Sequence, residues 1–284
     1  MESIYGALQL GLVFALVALA IFLTLRIIDF PDMTVNGSFT LGAAVSSVLL
    51  LNGSHPITAT FAAFAAGGMA GMVTAFLSIY YRIQHLIAGI IVMMGLYSIN
   101  LRIMAKPNIS LFDVVTIFDI APHMVVLVII TTAILALLTL FLLSEIGLAI
   151  RASGHNSVMG EAYGFNKNTT VITMVSLSNG LVALSGSLFS QLQGFVDISI
   201  GQGVIIVGLA SVILGERLVR RSKISVILFC CVVGAIVYRL IITAALKASD
   251  FGFLSSDVYL VTSVLIVLVM SMDKKRTRLK EQKK

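Results

Sequence analysis

The chain has 284 residues, of which 58% are hydrophobic and 11% charged, with a mean hydropathy of +1.06 and a formal net charge of +6. Soluble domains carry about a quarter charged residues, and a soluble fold of this length has no interior large enough for so much apolar surface. An ordinary soluble protein is therefore excluded, and the expected class is all-α: a polytopic transmembrane helical bundle, because in lipid each apolar segment must satisfy its own backbone.

Crossing the hydrocarbon takes about 20 apolar residues. The apolar runs predict helices at 3–25, 38–52, 56–80, 85–104, 122–143, 171–190, 201–215, 224–247 and 257–272, which gives 8–9 spans with 38–52 and 201–215 short. The first run, from Ser3 to Leu25, has no Lys or Arg before it and exceeds a signal-peptide core, so it reads as a retained helix. After it comes "DFPDMTVNGSF", residues 29–39, polar chemistry between two membrane-grade segments. Pro31 removes a backbone donor and drives Phe30 away from helical geometry. Asp32 and Thr34 are residue types that start helices. Further on, Gly67-x-x-x-Gly71 with Ala63 one turn earlier makes a smooth helix face suited to close packing.

The longest polar connection runs from Ser144 to Thr170, and within it "SVMGEAYGFN" predicts a short amphipathic helix stopped at Gly164. In the last third, Cys230 and Cys231 are neighbours whose side chains diverge on a helix, so they read as small apolar packing residues. Arg239 lies well inside 224–247, where it either snorkels outward, pairs with Asp250 or Asp257, or lines a pathway. The tail 273–284 carries seven basic residues and reads as a solvated anchor near anionic lipid.

The basic residues set the orientation, since Lys and Arg favour the cytoplasmic loops. A cytoplasmic C-terminus places Arg26, Arg82, Arg151, Lys167, Arg217, Arg220, Arg221 and Lys223 inside, and only Arg102, Lys106 and Lys247 outside. The positive charge thus records membrane orientation, and no nucleic-acid partner is expected. There is no Gly-Lys dipeptide and hence no P-loop. The four histidines are scattered near loops, so neither a metal site nor a catalytic cluster is expected.

One internal similarity stands out. "FPDMTVNGSFTLGAAVSSVLL" (30–50) aligns with "FVDISIGQGVIIVGLASVILG" (195–215), with Asp32 opposite Asp197, Thr34 opposite Ser199 and Asn36 opposite Gly201. Five predicted crossings separate the copies, so they enter the membrane in opposite senses. Short, Gly- or Pro-interrupted segments at matching positions of two inverted halves point to a translocation site. The expected halves are 1–120 and 121–272 of a single transmembrane domain covering 1–284. Asp32, Thr34, Asn36, Asp197, Ser199 and Gln202 are the candidate pathway residues. The alternative is that both motifs are interfacial loops whose aspartates merely cap helices.

"LRIIDFPDMTVNGSFTLGAA" (25–44) resembles the first-half signature of ABC importer permeases of the branched-chain amino acid and ribose type. "GLAIRASGHNSVMGEAYGFNKN" (147–168) resembles their cytoplasmic segment that docks on the ATPase, with Gly147, Arg151, Ala152, Gly154, Asn156, Ala162 and Gly164 in the pattern and Glu161 within it. "FPDMTVNGSF" is closer to a subgroup associated with aromatic amino acids or uncharacterised solutes. The resemblance implies a non-enzymatic permease of a bacterial inner membrane that works as a dimer. It implies ATPase subunits that bind the ATP, an extracytoplasmic binding protein that delivers the solute, and no cofactor on this chain. The alternative function is a secondary transporter driven by an ion gradient through Asp32 or Asp197.

Overall fold

The computed structural model describes residues 2–119, 121–155, 166–218 and 223–247, together with Ser263, Val264 and Val267. Helix α1, Glu2–Ile21, continues into a π-helical segment, Phe22–Ile27. Then come α2 (Thr34–Leu51), α3 (Pro56–Tyr80), α4 (His85–Met104), strand β1 (Asn108–Ser110) and a 3₁₀ turn (Ile117–Asp119). The second part holds α5 (His123–Leu143), α6 (Glu145–His155), α7 (Lys167–Gln193), strand β2 (Phe195–Asp197), α8 (Val204–Leu218) and α9 (Ile224–Lys247). Among the described residues, seven helices are long and apolar enough to cross a membrane.

Two helices form the centre for opposite reasons. Helix α1 is apolar all round, and such a helix belongs inside a bundle; Val13 to Leu23 are almost wholly buried. It packs against α5, α7, α8 and α9. Helix α7 is rich in serine, glycine and amide residues, yet it is nearly as buried. Its hydroxyls reach neighbouring backbones: Ser178 Oγ donates to Ala20 O at 2.9 Å, Ser185 Oγ to Val13 O at 2.7 Å, and Ser176 Oγ to Gly68 O at 2.7 Å. In a membrane, small residues and hydroxyls bring helices together where apolar side chains cannot, because lipid is as apolar as they are.

The Gly67–Gly71 face packs onto α7. A Cβ on Gly67 would meet Ala183 and Asn179, and one on Gly71 would meet Val175 and Asn179. Gly42 of α2 presses on Ala183 in the same way, and Gly186 of α7 presses on Phe39. The outward faces of α3, α4 and α5 remain apolar and exposed, for example at Phe61, Met69, Met94, Ile129 and Leu140.

Several boundaries move. Helix α2 starts at Thr34 rather than 38, because its polar residues find partners inside the bundle. Helix α7 runs 27 residues, longer than the predicted 171–190. The connection after Ser144 opens with helix α6, where the polar composition had suggested loop. Strands β1 and β2 form an antiparallel ladder pairing Asn108 with Asp197 and Ser110 with Phe195. No sequence pattern announces it, since three-residue strands pair only to satisfy the backbone groups of two loops that meet. Thr116 closes the following turn by donating its N–H to Asp119 Oδ2 at 2.6 Å and its hydroxyl at 3.0 Å; these bonds hold the carboxyl below its ordinary pKa. The predicted short helix around 157–164, the tail 273–284 and all of 257–272 except the three residues named lie outside the described residues.

Candidate translocation site where two broken helices meet

The break after α1 is built in three steps. The π-helical turn frees backbone groups, and Phe30 N donates to Thr24 O at 2.8 Å. Asp29 then takes a left-handed conformation with φ 50°, and Pro31 blocks any return to helix. Last, Asp32 Oδ1 accepts the N–H of Thr34 at 2.8 Å, and α2 begins. Asp32 is only 2% exposed. Its other oxygen accepts Asn179 Nδ2 at 2.5 Å, and Asn179 Oδ1 accepts Ser38 Oγ at 2.7 Å. Thr34 Oγ1 lies 2.7 Å from Thr74 Oγ1. The network ties α2, α3 and α7 together around one carboxyl. A carboxyl at this depth is costly unless hydrogen-bonded.

The second break repeats the last of these steps. After α7 ends at left-handed Gly194 (φ 74°), Asp197 Oδ1 accepts the N–H of Ser199 at 2.8 Å and also its hydroxyl. The surroundings differ: Ser199 is exposed, and β2 packs near the C-terminal half of α2, with Val196 in one apolar cluster with Ala43, Ala44 and Leu50. Asp32 precedes the opposite end of α2, so the two aspartates do not share a site.

What does meet are the helix starts. Asn36 Oδ1 accepts the N–H of Ile205 at 3.0 Å, so a residue of α2 caps α8. Gly201 lies so close to Asn36 O and Thr40 that no side chain fits there. Helix α8 then runs 12 residues, about 18 Å, to Glu216, so it starts inside the bundle. Beside this junction lies a cavity of about 320 Å³ lined by Asn36, Thr40, Met93, Met94, Tyr97 and Asn100, with Gly201, Gln202 and Gly203 across from them. Of the predicted pathway residues, Asn36 and Gln202 are brought together here; Asp32 and Thr34 form the buried network below α2, and Asp197 and Ser199 stand apart.

The far end of α8 is charged. Arg26 Nη2 and Glu216 Oε2 are 2.5 Å apart, and they share a cavity of about 620 Å³ with Arg151 and Ala152 of α6 and with Gly215. Gly154 lies in α6; Asn156, Glu161, Ala162 and Gly164 fall outside the described residues.

Residues 3–270 match the family model of the branched-chain amino acid transport system permease component. The chain belongs to that family. It is 37% identical, over 95% of its length and 91% of the other's, to the tyrosine transport system permease protein of Clostridioides difficile (strain R20291). It is 34% identical to the uncharacterized protein RP368 of Rickettsia prowazekii (strain Madrid E), over 84% of its own length and 87% of that protein's. No solved structure matches. The chain is thus the membrane subunit of an ABC importer, a transport subunit.

Several residues of this permease site escape sequence reasoning. Asn179, Ser38, Thr74 and Asn100 are buried polar residues inside apolar helices. The signal was present in principle, because a lone amide within a membrane span is rare enough to ask for a partner. Met93, Met94 and Tyr97 carry no such signal, since apolar side chains on a helix look alike whether they face lipid or a cavity. Arg239 is answered by aromatics: its guanidinium sits 4.1 Å from the centre of the Phe14 ring, which stacks on Phe39. Asp250 and Asp257, its other suggested partners, lie outside the described residues.

Proposed function

We propose that two copies of this permease and two ATPase subunits form an importer that takes up an amino acid of the tyrosine kind in a bacterial inner membrane. An extracytoplasmic binding protein delivers the solute at the β1–β2 end, and the Arg26–Arg151–Glu216 end and the C-terminus face the cytoplasm. The observation that carries the reading is the meeting of two antiparallel helix starts, α2 and α8, at Asn36 and Ile205 within the bundle. Irregular backbone at membrane depth is tolerated where protein or a water-filled cavity satisfies it, and a pathway is such a cavity. The relative named for tyrosine supports the solute class, and the charged end supports the orientation.

The coupling route is short. Helix α6 packs against α5 and the π-helical segment 22–27, and that segment leads through Asp32 into α2. An ATPase that closes on α6 and the residues after it moves the start of α2 against α8. The two halves, 1–120 and 121–272, then rock about the Asn36 junction as an inverted pair. The solute passes along Asn36, Gln202 and the surfaces near Asp32, Thr34, Asp197 and Ser199.

The test is reconstitution in vesicles with its ATPase and its binding protein. Tyrosine uptake should require ATP, and Arg151→Glu should lower both ATPase co-purification and uptake at least tenfold. Uptake by the purified chain alone under a proton or sodium gradient would make it a secondary transporter instead.

A further inference from the structure

We propose that the 320 Å³ cavity beside the α2–α8 junction is a solute subsite in which the Asn100 amide reads a hydrogen-bond donor on an aromatic amino-acid side chain. The inference rests on the importer reading above and names the residues that choose its solute.

Asn100 lies in the last third of α4, lines the cavity and is 1% exposed. Its Nδ2 donates to Gly37 O at 3.3 Å. Because a carbonyl accepts only from a donor, this bond fixes which end of the amide is which. Oδ1 is then left buried without a partner. A buried acceptor with its hydrogen bond unmade is destabilising, and folded proteins keep few of them. Oδ1 has almost no accessible surface, so a phenolic hydroxyl in the cavity satisfies it once the Asn100 side chain turns towards the ring.

The walls suit a ring. Met93 and Met94 supply polarizable thioethers, which favour the edges of aromatic rings and adapt to shape. Tyr97 offers an edge-to-face partner. Gly37 and Gly201 let the backbones around the cavity approach closely: a Cβ on Gly37 would come within 2.9 Å of Leu96 Cδ1, and one on Gly201 would collide with Asn36 O. The opposite side is the start of α8, reached through Gly203 (φ 78°). The first N–H groups of α8 are taken within the protein, by Gly201 O, Asn36 Oδ1 and Gly203 O, so the end of the solute that this cavity reads is the ring, towards Asn100. The volume lies at the small end of the ligand-pocket range, roughly 300–1,000 Å³, which suits one amino acid and no longer peptide. Met94, 67% exposed, stands at the mouth.

The experiment uses the permease–ATPase complex in nanodiscs, without the binding protein, and measures binding of radiolabelled L-tyrosine and L-phenylalanine. Wild type should bind tyrosine more tightly than phenylalanine. Asn100→Leu should weaken tyrosine about tenfold, the usual scale for one buried hydrogen bond, and leave phenylalanine within about twofold. Met94→Trp changes an exposed residue and should weaken both while the unfolding midpoint stays put. A general folding defect in Asn100→Leu would lower both ligands equally and leave the preference intact, and that result overturns the subsite. So does a wild-type complex that binds neither amino acid yet still shows ATP-driven tyrosine uptake with its binding protein; the importer reading then stands. If the wild-type complex with its binding protein takes up no amino acid, the importer reading falls and the subsite falls with it.

Discussion

At the scale of single residues, the pairing of Asp32 with Asn179 holds the start of α2. Asn179→Leu leaves the carboxyl and Ser38 Oγ without their partner in a buried place. The expected loss is at least about 1–3 kcal/mol, read as a lower midpoint in detergent unfolding. The exchange Asp32→Asn with Asn179→Asp keeps an acceptor for Thr34 N and for Ser38, and should recover more than half of that loss. A double variant no better than Asn179→Leu would show that the pair is incidental. Asp32 was legible in the sequence as a helix-starting acid after a proline. Asn179 was not, because 147 residues separate the partners and nothing local marks the contact.

At the scale of elements, the fold depends on how closely α7 is gripped by α2 and α3. The Gly67–Gly71 face was legible as a smooth surface, but its partner was not: a dimer seam and an internal contact look the same in one sequence. The structure gives the face to α7, so Gly67→Leu should break the permease from within. A Cβ alone would collide with Ala183 and Asn179 O, both held in place. Overpacking of this kind costs typically about 1–3 kcal/mol, and expression in the membrane and the unfolding midpoint should both fall. Normal stability with loss of self-association in gel filtration would assign the face to an interface between copies instead. The two short helices also part company here. Helix α2 reaches 18 residues, about 27 Å, enough to span most of the hydrocarbon; α8, at 15 residues and about 22 Å, does not. Composition alone made them look alike, and what separates them is where Asn36 caps α8.

At the scale of the whole molecule, the two aspartate motifs are alike in local geometry and unlike in place. Single cysteines test this in the importer at work. Ser199→Cys is exposed and should react with a membrane-impermeant maleimide in every state. Thr34→Cys, fully buried, should react only during ATP turnover, when α2 moves against α8. Equal labelling of both positions at rest would mean that Thr34 borders bulk solvent and that no closed junction exists.

The sequence by itself determined that this chain lives in a membrane as helices and that the chain breaks between the first two of them. Each of these follows from local chemistry: apolar length, and proline and aspartate at a helix start. Only the tertiary structure decided that Asn36 caps α8, that Asn179 partners Asp32, that glycines 67 and 71 face α7, and that Asn100 lines a cavity with Met93, Met94 and Tyr97. Those are contacts between distant segments, and in lipid they form by close fit and hydrogen bonding rather than by hydrophobicity, so the apolar pattern that locates the helices is silent about which of their faces meet.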